Sequence, residues 1–310
     1  MPLHRTNNIT STFPYKIGFD VSGTVVAVGS AASANFKQGQ HVYSRVPASH
    51  RGTLAEYVLS PSYFVAQKPA NISHAASASI PLAATTAFQA LKKADEALAG
   101  GLAGKTVLIP AGLSGTGSFG VQIAKNYFKA GKVITTLSPA KMSIFDERIG
   151  NNVADQIIDY TKGNASVLEE IGKGSVDFMF DTQGQSIALV SAIKPKTGLI
   201  LTISMIPNGT EMAEISPGLA WYMKPIMNVV DFGIKRYLTS WWSIKYDYHT
   251  LNPSGKDLDI LRGMVENGDL KPVVGDVVGL EDLSGVRKGC KQILDGKGGV
   301  GKFVVSVVKD

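Results

Sequence analysis

The sequence predicts an α/β protein in two parts: a small curved β-rich unit and a doubly wound parallel sheet. Three observations lead there. From residue 105 onward, short apolar runs alternate strictly with helix-prone stretches, the signature of a parallel sheet covered on both faces. The first run, TVLIP, leads straight into a glycine loop that opens a helix, PAGLSGTGSFGVQIAK at 110–125. Residues 16–66, by contrast, are rich in valine and glycine and carry short β-patterned runs separated by turn residues.

Taken in order, VSGTVVAVG, QGQHVYSRV and GTLAEYVLS read as strands of a curved antiparallel unit, with glycines where the backbone bends. ISHAASASIPLAATTAFQALKKADEAL, at 72–98, is alanine-rich and helix-prone, and Pro81 divides it into two helices. Then follow strand TVLIP, helix SFGVQIAKNYF, strand KVITTL, helix AKMSIFDERIG, strand DQIIDY, helix ASVLEEIGKG, strand VDFMFD, helix QSIALVSAI and strand GLILTISMI. Residues 207–250 break the rhythm and hold Trp221, Trp241 and Trp242. DLDILRGMVENG reads as a helix, and LKPVVGDVV and GKFVVSVV as strands flanking a helix around Cys290.

Composition narrows the class. A chain of 310 residues makes one large domain or two ordinary ones, and 44% hydrophobic with 18% charged residues describes a globular core. The net charge of +6 is spread in no cationic run longer than a pair, so a solvated basic surface is expected and nucleic acid is not. The single Cys290 rules out an internal disulfide and a multi-cysteine zinc site. MPLHRTNNITSTF lacks the apolar centre of a signal peptide. The uncharged run between Lys68 and Lys92 is interrupted by Pro69 and Pro81 and reads poorly as a membrane span. A soluble, cytoplasmic protein with no membrane partner is the expectation.

The glycines Gly115, Gly117 and Gly120 follow the spacing G-x-G-x-x-G between a strand and a helix. In that setting they let backbone approach a pyrophosphate and let the helix pack on the strand, with its N-terminus toward the anion. An ordinary tight βα turn is the competing reading. The second strand ends in KVITTLSPAK, with no acid for a ribose 2′-hydroxyl. Ser138 and Lys141 offer a hydrogen bond and a charge to a 2′-phosphate instead, which points to NADPH. For Lys141 alone, a solvated lysine at a helix start competes.

KIGFDVSGTVVAVG, GQHVYSRVPASHRGTLAEYV, IPLAATTAFQAL, the glycine loop and QIIDYTK stand in an order that resembles the medium-chain dehydrogenases/reductases. The nearest likeness is to their zinc-independent quinone oxidoreductase and enoyl reductase branch, fungal forms included. The resemblance implies a GroES-like catalytic domain from residues 1–95 and 271–310, with a Rossmann NADP-binding domain, 96–270, inserted between. It implies pyrophosphate contacts from Ser114, Gly115, Thr116 and Gly117, and 2′-phosphate contacts from Ser138 and Lys141. Tyr160 would pack near that phosphate, Thr86 would lie near the nicotinamide, and the backbone at Ile203 would approach its ring. A plain strand-end tyrosine and a helix back-bonding hydroxyl compete for Tyr160 and Thr86.

Departures from the family pattern matter too. Gly18-Phe19-Asp20 stands where zinc-dependent members carry Gly-His-Glu. His4, His41, His50, His74 and His249 show no ligand spacing and read mostly as surface or loop residues, so no metal is expected. Only Met1 to Ile17 precede Gly18, where the branch has a few dozen residues that include an Asn-Pro-x-Asp-x-Lys segment. The catalytic half is therefore expected to be shortened, with its edges covered by dimerisation or by Met1 to Tyr15.

The function implied is NADPH-dependent reduction of an activated C=C bond in a small molecule: an enone, enoyl thioester or quinone. Hydride reaches the β-carbon, hydrogen-bond donors stabilise the carbonyl oxygen, and a proton reaches the α-carbon. A water or a tyrosine is the candidate proton source; Tyr43, Tyr222, Tyr246 and Tyr248 are the tyrosines available, and the sequence selects none. An NADP(H)-binding protein, a non-redox biosynthetic enzyme or a partner subunit is the alternative. A homodimer through an edge strand is a further expectation.

Overall fold

The computed structural model describes residues 16–47, 50–204, 209–215, 219–296 and 299–308, without the side chains of residues 211, 214 and 215. The expectations for residues 1–15, His4 among them, lie outside the described residues.

Strands β1 (Asp20–Thr24), β2 (His41–Arg45) and β3 (Val65–Gln67) form the small antiparallel sheet, in the order β1-β2-β3. GTLAEYVLS does not form a strand. Tyr57 and Leu59 are 73% and 83% exposed, so its apolar residues do not collect on one buried face as a strand requires. Val65–Gln67 takes its place beside β2. Helices α1 (His74–Ala78) and α2 (Pro81–Ala97) follow, with Pro81 at the first position of α2, where its missing N–H costs nothing.

The main sheet holds β4 (Thr106–Pro110), β5 (Lys132–Leu137), β6 (Gln156–Asp159), β7 (Phe178–Asp181), β8 (Leu199–Thr202) and β9 (Lys245–Tyr248). All are parallel, in the order β6-β5-β4-β7-β8-β9. Alternate residues feed two separate cores. Val107, Ile109, Phe178 and Phe180 join α2 in one, and Leu108, Ile134, Met179 and Ile200 form the other. Hence the strands read as unbroken apolar runs.

Helix α3 (Gly117–Gln122) continues as a π-turn to Tyr127. The stretch AKMSIFDERIG divides into α4 (Pro139–Met142) and α5 (Phe145–Ile149), and α6 is Asn164–Ile171. QSIALVSAI is not an α-helix; it runs through turns to a 3-10 turn at Val190–Ala192. The cause is Asp181, whose carboxylate accepts the N–H groups of Gln183, Gln185 and Ser186 at 3.0, 3.0 and 2.8 Å and winds the chain around itself. Then come α7 (Gly209–Ile215), α8 (Met223–Trp241) and α9 (Gly255–Glu266). Strands β10 (Val274–Gly279) and β11 (Lys302–Ser306) pair in parallel, with α10 (Leu283–Leu294) between them in the chain.

Candidate active site

The sheet order reverses at β4, whose neighbours β5 and β7 lead away in opposite directions. Such a switch point opens a crevice at the carboxyl ends of the strands, and the glycine loop sits there. The sharp turn is made by Ala111, at φ 57°, rather than by a glycine. Ala111 N–H donates to Thr136 Oγ1 at 3.2 Å, and Thr182 Oγ1 donates to the Pro110 carbonyl at 2.9 Å, which holds this left-handed residue in place. The glycines supply room instead. A Cβ on Gly117 would overlap the Ala111 carbonyl oxygen and lie 2.8 Å from Ser114 Oγ. One on Gly120 would already touch Ile109 and Phe180 at 3.4 Å, so α3 lies close on the sheet. Gly112, outside the G-x-G-x-x-G reading, belongs to the same device: a Cβ there would run into Thr135 of β5, 3.0 Å from its Cγ2. Ser114 Oγ accepts the Gly117 N–H at 3.0 Å, and Thr116 is the N-cap of α3 with a hydroxyl that makes no capping bond.

The C-terminal segment closes over this loop, a placement that sequence spacing does not reveal. Gly301 N–H donates to the Leu113 carbonyl at 2.9 Å. A Cβ on Gly115 would stand 3.0 Å from Lys302 Cδ, so Gly115 keeps space for that lysine. Lys302 Nζ lies 3.8 Å from Asp20 Oδ2, while Asp20 Oδ1 accepts the Leu82 N–H at 2.9 Å at the start of α2. Burial pushes the Asp20 carboxyl up to about 6, against the pull of Lys302, the Leu82 N–H and Arg45. A cation on the loop and a carboxyl behind it thus join β1, α2 and β11.

Along the crevice, Ser138 follows β5 as the N-cap of α4, without a side-chain capping bond. Lys141 Nζ donates to the Gly299 carbonyl at 3.1 Å, so a neutral group holds it, and among the described residues no carboxylate pairs with it. Tyr160 is exposed in a 3-10 turn after β6. The acid in this row is Asp159, register partner of Leu137; its Oδ1 accepts the N–H and hydroxyl of Thr161 at 2.9 and 2.7 Å, which pulls its pKa below the ordinary carboxylate value.

At the other end, Thr86 is buried and its hydroxyl donates to the Leu82 carbonyl at 2.6 Å, the back-bonding arrangement. Ile203 follows β8, and its N–H donates to the Asp181 carbonyl at 3.1 Å. His249 joins these two places: its N–H donates to the Thr202 carbonyl at 2.9 Å and its ring bonds the Thr86 backbone. Far from being a surface residue, His249 is buried, and burial lowers its imidazole to about 4. His41 and His74 bond each other at 3.1 Å, and among the described residues no three His, Cys, Asp or Glu side chains converge as metal ligands would. Of the tyrosines, Tyr43 is fully buried and donates to the Leu258 carbonyl at 2.6 Å. Tyr246 faces the second core, and burial raises the pKa of both. Tyr222 is exposed before α8. Tyr248 is half-buried at the end of β9, paired in register with Thr202.

Two family models cover these parts: the alcohol dehydrogenase GroES-like domain matches residues 3–70, and the zinc-binding dehydrogenase matches residues 153–305. The chain belongs to the medium-chain dehydrogenase/reductase superfamily. Its place there is the zinc-independent quinone oxidoreductase-like branch. It is 35% identical over 215 residues to 2-methylene-furan-3-one reductase of Solanum lycopersicum, covering 67% of this chain and 52% of that protein. To the mitochondrial NAD(P)H oxidoreductase RTN4IP1 of Bos taurus it is 30% identical over 264 residues, 84% of this chain and 64% of that one. The chain therefore spans between half and two-thirds of these medium-chain reductases. The quinone oxidoreductase of Coxiella burnetii shares the fold, with a TM-score of 0.72 at 24% identity over 94% of this chain and 79% of its own.

Proposed function

We propose that the chain binds NADPH across the switch point and reduces a C=C bond conjugated to a carbonyl, as in an enone, enoyl thioester or quinone. The carrying observation is the end of β5, where Ser138 and Lys141 stand in place of an acid and neighbouring Asp159 is bonded to Thr161. A 2′-phosphate needs donors and positive charge there, and a free carboxylate would repel it. The residues fit the rest of the group. Gly112 and Gly117 let the loop fold tightly against Thr135 and the Ala111 carbonyl at the start of α3, where a pyrophosphate would sit, and Lys302 beside Gly115 would supply it a cation. Ser114, Thr116 and the start of α3 would bind the same anion, and Tyr160 would flank the adenosine end.

NADPH, when bound, supplies the hydride. The chain holds the ring end between Thr86 and the backbone at Ile203. Tyr248 is the proton source in this reading, because Tyr43 and Tyr246 are consumed by packing, Tyr222 is exposed ahead of α8, and Tyr248 pairs in register with Thr202, next to Ile203. The tomato relative, named as a reductase of a methylene ketone, supports the substrate class. The catalytic part is drawn from 1–95 and 271–310 and the NADP-binding part from 96–270. A cytoplasmic setting and a homodimer through an edge strand, β6 or β9, complete the reading.

Titration of nicotinamide fluorescence tests the cofactor. Lys141→Ala should weaken NADPH binding about tenfold, the scale of one charge-assisted hydrogen bond, and leave NADH binding alone. Equal losses for both would remove the 2′-phosphate assignment. NADPH consumption across a panel of enones, enoyl thioesters and quinones tests the reaction; binding without turnover of any of them would leave an NADPH-binding protein, not a reductase.

A further inference from the structure

Helix α8 is satisfied on its inner side and apolar on its outer side. Inward, Met227 and Leu238 are buried, Ile234 packs against the second core, and Lys235 bonds Asp231 at 3.1 Å and Asp247 at 3.5 Å. Outward, Val229 and Phe232 are 70% and 68% exposed, with Ile226 and Val230 exposed beside them. At the two ends, Trp221 and Trp241 are 85% and 82% exposed. A helix apolar on both sides is normally enclosed by protein or lipid, and a continuous exposed row, unlike a lone leucine, marks a contact surface. No helix among the described residues is long and apolar enough to cross a membrane.

Charge decides what covers this face. The exposed charged residues of α8 are Lys224 in its first turn and Arg236 near its last, both positive. Its acid, Asp231, is half-buried and neutralised by Lys235. A second copy packed antiparallel about a two-fold axis at Val230, in the middle of the exposed row, would set Lys224 against Arg236, cation on cation. An anionic bilayer complements both. Indole rings at each end of a helix roughly 28 Å long suit the headgroup level, where one edge is wet and the other apolar.

We propose that α8 is a membrane-surface helix that lays Val229 and Phe232 into the acyl boundary of an anionic phospholipid bilayer. Trp221 and Trp241 sit at the headgroups, and Lys224 and Arg236 meet lipid phosphates. The sequence expectation of no membrane partner weighed only spanning segments, and an in-plane helix escapes that test.

Vesicle sedimentation with the full chain decides it, using phosphatidylcholine vesicles with and without about one-third phosphatidylserine. The chain should pellet with the anionic vesicles only, with a blue shift of tryptophan emission. The Lys224→Gln, Arg236→Gln double variant should lower partitioning about thirtyfold, from about 1 kcal/mol for each cation at the surface. Val229→Glu with Phe232→Glu should abolish it, while unchanged thermal unfolding shows that both variants fold. No pelleting with either vesicle, equal pelleting with both, or a solution dimer that Val229→Glu with Phe232→Glu dissociates would each overturn the proposal.

Discussion

Asp20 and His249 are each held in the charge state that water would not favour, and their effects on stability run in opposite directions. The Asp20 carboxyl titrates near 6 in the folded chain against an ordinary 3.8. Its contribution is whole below about 3.8 and is lost as pH rises through about 6. His249 titrates near 4 against 6.5, so its contribution is whole above 6.5 and is lost as pH falls toward 4. Each shift corresponds to about 3 kcal/mol at the 1.36 kcal/mol that one pKa unit represents. Between pH 4 and 6 the two largely offset. Denaturant titrations across that range should show a shallow profile for the unmodified chain. Asp20→Asn should steepen the acid loss, and His249→Gln should reverse the slope; parallel profiles for all three would rule out this account. The position of Ser138 and Lys141 just after β5 is legible in the sequence, because they follow a strand end directly. The contacts of His249 and Lys302 are not, because each depends on a strand arriving from far along the chain.

The glycine loop and the loop after β7 show how an element takes its shape from its neighbours. Gly117→Ala forces the loop away from the Ala111 carbonyl, which should weaken NADPH binding at least tenfold by fluorescence titration, a displacement cost of the order of an overpacked contact. Gly112→Ala should do the same through Thr135, although it stands outside the three-glycine spacing. Asp181→Ala would strand the N–H groups of Gln183, Gln185 and Ser186 and should cost about 3 kcal/mol or more in denaturant unfolding. The same carboxylate explains why QSIALVSAI, helical by composition, is not an α-helix. GTLAEYVLS failed as a strand for the complementary reason. Its composition suits a sheet, but Tyr57 and Leu59 point outward, and a strand is stabilised by cross-strand and same-face packing more than by propensity.

Across the whole molecule, Lys302 links the last strand to the first and to the glycine loop. Its removal in Lys302→Ala should weaken NADPH and NADH binding alike, unlike Lys141→Ala, because the pyrophosphate is common to both cofactors. It should also raise the Asp20 carboxyl further, moving the alkaline edge of its stability window upward, which amide-exchange or denaturant profiles against pH can follow. Selective loss of NADPH alone would place Lys302 at the 2′-phosphate instead. The sequence by itself determined the succession of parallel strands, the glycine loop and the missing acid after β5. All of these are periodic or adjacent along the chain, so each can be read within one window of residues. Only the tertiary structure decided that Ala111 makes the turn, that Gly115 keeps room for Lys302, and that Tyr43 and Tyr246 are spent on packing. It alone turned an apolar face of α8 to the outside. These outcomes depend on which surfaces meet after the chain closes on itself, and burial and proximity between distant residues leave no periodic trace in the sequence.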